Sequence, residues 1–471
     1  MKKLTRLYVV FIVLVSFFGC KNAKQSKLCG NSSYSAHYQE VYNYIQNNWE
    51  EYLSDGRQDT IFPKLPNPGL SYLKDFLTQF YWDSFFNNEG LLLEKENHNI
   101  ARYHVENLLF EADTLGFVPN MNSIWGMSRS QPPYLSMMVR NYYEQSGMND
   151  KEWLKDAYNI VKKEYAFWMD LNDDPIENHV VDGIPSLIRY FHHGDTLDLL
   201  AIYDHMVVRL DYPADAPLSE KLEKAVPFIV EAGTGMDFTP RFERRCSDFL
   251  AVDLNSNMYM YEKNFAWMVK ELGLSGEPDW EALATLRKEM FNKYLWSEER
   301  GLFLDYDFVN KRHSKVAAAT TFSPLFAGIA SLDQAERVAS NLNLFEHDFG
   351  LSVVDMNTPE ELNYMWGNDD LWAPMQYLAI AGLRNYNLND DAQRIACKWM
   401  ALITKNYIKP VNEIWVSNQN DTIFRVPGKT YEKYSLKNGG SINDDEYPSL
   451  EILCWSSAVF AYSYHFLRDS K

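Results

Sequence analysis

The stretch LNSNMYMYEKNFAWMVKELGL, Leu254 to Leu274, places Leu254, Met258, Tyr261, Phe265, Met268 and Leu272 at alternating spacings of four and three, with Gly273 behind them as a stop. That spacing puts the apolar side chains on one stripe of a helix and predicts an α-helix with a buried face. KEWLKDAYNIVKKEYAFWMDL, from Lys151, repeats the pattern through Leu154, Ala157, Tyr158, Val161, Tyr165 and Trp168, with Asp150 as N-cap. Similar periodicity runs through about 35–53, 96–112, 132–146, 278–297, 332–343, 371–383, 389–407 and 450–467. Alternation typical of strands is sparse, and its best instance is EIWVSNQNDTIFRV, 413–426, which predicts a hairpin inside a long loop. Helices in pairs, joined by long connections bearing Gly, Pro and Asp, predict an all-α domain, an α/α toroid with its site in the loops at one end; an irregular bundle is the alternative.

Composition fits one large domain. The chain has 471 residues, 46% of them hydrophobic and 15% aromatic, including 13 Trp, 30 Tyr and 27 Phe. Aromatic rings build cores, and they also stack on the apolar faces of sugar rings. A formal net charge of −19, from 64 acidic and 45 basic residues, repels a nucleic-acid backbone and removes nucleic acid from the expected partners. The first residues, MKKLTR followed by LYVVFIVLVSFFGC, read as a charged leader and an apolar run too short to span a bilayer. They predict a signal peptide over 1–19, lipidation at Cys20, a polar tether over 20–33 and a barrel domain over 34–471. On that reading the protein is exported, to the periplasm or cell envelope, and meets the membrane through its lipid alone. Cys29, Cys246, Cys397 and Cys454 are far apart with no CxxC pair, which predicts buried small side chains rather than a disulfide framework or a zinc site.

GxSxG, HExxH, GxxxxGK[ST] and strand-linked GxGxxG motifs are missing, so serine-hydrolase, zincin and nucleotide-dependent chemistry lose their support. Four stretches instead combine aromatics, carboxylates and amides: FYWDSFF (Trp82, Asp83), GFVPNMNSIWGMSRSQPP (Asn120, Arg129, Gln131), GTGMDFTPRF (Gly235, Asp237) and YEKYSLKNGGSINDDEYP (Glu432, Glu446). Each alone has a structural reading, as core, cap, ion pair or turn. Asp237 is open to two readings, a loop carboxylate paired with Arg241 or an acid in a partly dry pocket.

Taken together and in order, these stretches resemble the trehalase family of glycoside hydrolases, and more distantly other glucosidases on an (α/α)6 barrel. YWDSFFNNEGLL is similar to the family's YWDSYF, and Asn120 followed by Arg129 in SRSQPP to its PN and RSQPP elements. GMDFTPRF, VDLNSNMY, GLFLDYDF and WAPMQY resemble its GWDFSSRW, VDLN, DYD and WAPLQW stretches. The resemblance implies an inverting hydrolase that releases glucose from trehalose, without cofactor or metal, as a monomer acting on a small sugar. It implies Asp237 as general acid and Glu432 as general base, with Trp82, Asp83, Asn120, Arg129, Gln131, Gly235, Trp366 and Glu446 around the sugar. Inversion needs a protonated carboxyl on one side of the bond and a carboxylate on the other, about 6.5–9.5 Å apart. Met236 and Phe238 flank Asp237 with apolar surface of the kind that keeps a carboxyl protonated. Among the other carboxylates, Asp369, Asp370, Asp444 and Asp445 compete with Glu432 until the resemblance is applied. The chain also departs from the family. Asp75 and Asp198 stand where family members carry arginines, and MWGNDDLW keeps only Trp366 and Trp372 of its counterpart. Two lost guanidinium forks predict either another cation reaching the second sugar, from Arg189, Arg241 or Lys74, or a preference for another α-glucoside. A glycan-binding lipoprotein without catalysis is the remaining alternative.

Overall fold

The computed structural model describes residues 29, 33–56, 58, 60, 62–71, 77–171, 178–210, 212–359, 364–367, 369–411, 414–416, 422–442 and 449–469. The expected signal peptide and Cys20, and also Lys74, Asp75, Asp444, Asp445 and Glu446, lie outside the described residues.

The helices are α1 (Tyr38–Asn48), α2 (Tyr81–Leu91), α3 (His98–Leu115), α4 (Leu135–Gln145), α5 (Lys151–Trp168), α6 (Thr196–Leu210) and α7 (Leu218–Ala232). They continue as α8 (Val252–Leu272), α9 (Trp280–Tyr294), α10 (Ser323–Ala327), α11 (Leu332–Ser340), α12 (Ala373–Asn385), α13 (Asn389–Ile408) and α14 (Trp455–Asp469). Six of them, α2, α4, α8, α10, α12 and α14, pack each against the next, and α14 closes on α2. Others lie outside this ring: α3 against α2 and α4, α5 against α4 and α8, α9 against α8, and α13 against α12 and α14. This is the (α/α)6 barrel.

The sequence pattern explains the two layers. A helix buried all round belongs inside, and one with a single apolar stripe belongs outside. In α12 every residue from Ala373 to Leu383 is buried, whereas α5 buries the periodic set Leu154, Ala157, Tyr158, Val161, Tyr165 and Trp168. The stripe of α8 is buried from Leu254 to Met268, and Gly273 ends the helix. Asp150 caps α5 by accepting from the N–H groups of Glu152 and Trp153. Helices α2, α6 and α7 fall outside the segments that the periodicity marks as helical; α2 begins within FYWDSFF, read from the sequence as a loop, and α7 carries Pro227 in its interior, which weakens a helical signal. The predicted hairpin is present, Ile414–Val416 pairing antiparallel with Thr422–Phe424.

One expectation from the cysteines is corrected. Cys29 and Cys397 form a disulfide, joining the segment ahead of α1 to α13. Their sequence separation of 368 residues hid the pairing, since proximity across a barrel leaves no local trace. Cys246 and Cys454 are free and buried, as expected.

Candidate active site

Inner helices α2, α4, α12 and α14 present their N-terminal ends to one cavity of about 500 Å³. Trp82 lies at the start of α2, Gln131 precedes α4, Trp372 precedes α12, and Trp455 opens α14. Asp83, Phe80, Gly235, Asp237, Trp366 and Glu432 line the same space.

Four tryptophans form its apolar wall. Trp366 and Trp372 stack with centroids 4.0 Å apart and planes 9° from parallel. Trp82 stands 5.5 Å from Trp366, and Trp455 meets Trp82 at 5.8 Å and Trp372 at 5.7 Å. Gly235 has φ +74°, and a Cβ there would sit 2.4 Å from Cε2 of Trp82, so the ring occupies the space a side chain would need. Gln131 Oε1 accepts from the Trp82 N–H at 3.1 Å and ties the two stretches together.

Asp237 sits half-buried in a loop fixed at both ends. Upstream, the buried Glu231 at the end of α7 accepts from the Thr239 N–H at 2.6 Å. Downstream, Arg241 is wholly buried, and its guanidinium grips Asp253 (2.9 Å) and Asp305 (2.9 Å). Of the two sequence readings of Asp237, pairing with Arg241 is thereby excluded: the fork is spent on two other carboxylates. Phe238 anchors the loop in a small cluster with Met206, Phe228 and Ala232, and its carbonyl accepts from the Trp366 N–H at 3.1 Å.

Glu432 is held through its backbone. Its N–H donates to Leu450 O (3.0 Å), and its carbonyl accepts from Trp455 Nε1 (3.0 Å) and Ser456 Oγ (2.5 Å). Lys433 is buried with its ammonium 5.3 Å from the Trp372 ring centre. Among the competing carboxylates, Asp369 pairs with Lys437 at 2.6 Å, and Asp370 lies in a strand paired with Ser435. Neither lines the cavity.

Asn120 and Arg129 do not line it either; they stand behind and beside it. Asn120 is a hub whose N–H donates to Arg129 O (2.9 Å), whose carbonyl accepts from the Tyr81 N–H (3.2 Å), and whose Nδ2 donates to Ala232 O (3.4 Å). Burial lowers the Arg129 pKa, while the charges of Asp237 and Asp198 oppose that shift, which puts its guanidinium in the field of the cavity acid. Arg189 is committed to the carbonyls of Asn178 and Ser247, both at 2.9 Å. No lysine or arginine lines the cavity among the described residues, and no cluster there has the makings of a metal site.

Thr78, Phe80, Met365, Leu450 and Trp455 also line the cavity and are not singled out in the sequence. Trp455 had a usable signal: like Trp82, it is an aromatic at the very start of a strongly periodic helix.

The family model described as Trehalase matches residues 74–194 and 229–467. Among relatives, a periplasmic trehalase of Xanthomonas axonopodis pv. citri is 30% identical over 84% of this chain and 67% of its own length. A cytosolic neutral trehalase of Kluyveromyces lactis is 32% identical over 69% of this chain, and the chain spans about half, 47%, of that relative. Among solved structures, the neutral trehalase Nth1 of Saccharomyces cerevisiae superposes with a TM-score of 0.66 at 24% identity, covering 86% of this chain and 74% of that one. A GH63 mannosylglycerate hydrolase of Thermus thermophilus does so with 0.57 at 17%, covering 90% and 99%. At these identities the two structures speak for the fold. With the family model spanning the Asp237 and Glu432 stretches and the arrangement around the tryptophan-walled cavity in view, the chain belongs to the trehalase family.

Proposed function

We propose that the protein is an inverting glycoside hydrolase that cleaves α,α-trehalose into two glucose molecules, with Asp237 as general acid and Glu432 as general base. The observation that carries this reading is that these two carboxylates, distant in sequence, line one cavity walled by tryptophans. The carboxyl of Asp237 gives its proton to the glycosidic oxygen as the bond to C1 breaks. Glu432 takes a proton from the water that attacks C1 from the opposite face, so the configuration at that carbon inverts. The tryptophan faces meet the apolar sides of the ring, while Asp83 and Gln131 take hydroxyls. Glu446 belongs to the same expected set. Arg129 serves from beside the cavity, where its charge faces Asp237.

A second reading, the same chemistry on another α-glucoside, is favoured by one observation: neither Arg189 nor Arg241 is available to a second sugar, each being bound elsewhere in the fold. Incubation with trehalose and a panel of α-glucosides, following glucose release, separates the two. Asp237→Asn and Glu432→Gln should each lower kcat by several orders of magnitude, and near-normal turnover by either removes that residue from its role.

Export is supported by the disulfide, which persists in oxidising compartments, and by the periplasmic relatives. Lipidation at Cys20 predicts that labelled palmitate is incorporated by the native protein and lost in Cys20→Ala. Size-exclusion with light scattering tests the expected monomer.

A further inference from the structure

Between Asn120, the hub, and Gln131, which lines the cavity, the chain makes a short turn at Ile124–Gly126. Trp125 at its crest is 65% exposed, a degree reached by no other tryptophan whose side chain is described, and Ile124 beside it is 43% exposed. The turn is built to hold this position. Ser123 Oγ accepts from the Trp125 N–H (3.4 Å), Gly126 O accepts from the Asn120 N–H (3.2 Å), and Arg129 Nη1 donates to Trp125 O (3.3 Å). A Cβ at Gly126 would lie 2.4 Å from Met121 O, so the backbone is packed against itself there. An indole left in water on a rigid turn beside a catalytic cavity is uncovered apolar area with a ligand's shape to match.

A second segment completes the rim. The N–H of His193 donates to Ser128 O (2.9 Å), and its ring nitrogen bonds Met127 O, so 193–198 is stitched to the turn's own loop. That segment presents Leu197, 74% exposed, and Asp198. Arg129 lies in the fields of both Asp237 and Asp198, and among the described residues its side chain hydrogen-bonds through Nη1, to Trp125 O and Ser128 Oγ. Aromatic face, guanidinium and carboxylate together are the chemistry that recognises a neutral pyranose. The side of the cavity also follows. Asp237 protonates the leaving oxygen, so the groups on its flank face the leaving group rather than the glucose held among the four tryptophans.

We infer that Trp125, with Leu197, Arg129 and Asp198, forms the platform for the leaving-group sugar, a neutral hexopyranose, and that Trp125 is a specificity-determining residue. The inference rests on the glycosidase reading above. It is tested by comparing two substrates in the native protein, Trp125→Ala and Trp125→Phe. One is the disaccharide turned over best in the panel; the other is α-glucosyl fluoride, whose leaving group is a single atom. Trp125→Ala should lower kcat/KM on the disaccharide roughly three- to tenfold, mainly through KM, with a much smaller effect on the fluoride. Trp125→Phe should recover most of the loss. Equal losses on both substrates, or none on either, would overturn the platform while leaving the glycosidase reading intact. Failure of the native protein to hydrolyse either substrate would overturn that reading and the platform with it.

Discussion

Gly235 is the residue on which the cavity's shape turns most narrowly, because a methyl group there meets the Trp82 ring at 2.4 Å on a backbone with φ +74°. Gly235→Ala should displace Trp82 and strain the turn, costing about 1–3 kcal/mol of stability and at least tenfold in kcat/KM; denaturant titration with steady-state kinetics checks both, and an unperturbed variant would show that the ring has room to move. At this scale the sequence was informative where cavity-lining residues sit in a short contiguous motif, as with Trp82 and Asp83, or Asp237. It was silent where a residue acts through the backbone of another. Asn120 bonds three separate stretches with its main chain and amide, and Trp455 holds Glu432 by its carbonyl; nothing in residue type announces such bonds. The pairing of Asp237 with Arg241 looked natural at four residues' spacing. It failed because Asp253 and Asp305, brought from α8 and the turn beyond α9, occupy the guanidinium.

Helix α2 carries Trp82 and Asp83 into the cavity, and its mount is a buried polar cluster. Tyr81 Oη donates to Glu164 Oε1 (2.6 Å) while accepting from the N–H groups of Tyr134 and Leu135, and Tyr261 Oη donates to Glu164 Oε2 (2.6 Å). The cluster thus joins α2, α4, α5 and α8. Burial pushes the Glu164 pKa up to about 7, against the opposing pull of the two tyrosine hydroxyls. Because the folded value lies above the unfolded one near 4.5, stability from this group is full at low pH and falls as pH rises from about 4.5 to 7, by ~3 kcal/mol. Glu164→Gln, which cannot ionise, should therefore show a smaller loss of stability between pH 5 and pH 8 than the native protein in urea titrations. An identical pH dependence in the two would mean that Glu164 is ionised throughout.

Across the whole molecule, the Cys29–Cys397 disulfide ties together positions 368 residues apart and fixes the segment ahead of α1 to α13. Cys397→Ser should lower stability by about 2–4 kcal/mol in non-reducing conditions with kcat unchanged, since the bond lies outside the catalytic cavity; an unchanged melting temperature would contradict this. The barrel was legible in the sequence because helical periodicity survives wherever a helix has one wet face, as in α5 and α8. It was weaker for α2 and α7, one buried on nearly every side and the other interrupted by Pro227, and the disulfide was invisible because it is a consequence of closure. The central claim, that Asp237 and Glu432 act across one bond as acid and base, is tested most directly by proton NMR of trehalose hydrolysis in its first minutes, before the anomers equilibrate. Attack by water at the carbon whose bond breaks yields β-glucose, while the departing sugar keeps its α configuration. The account predicts β- and α-glucose in equal initial amounts. Initial release of α-glucose alone would mean retention of configuration and would contradict it.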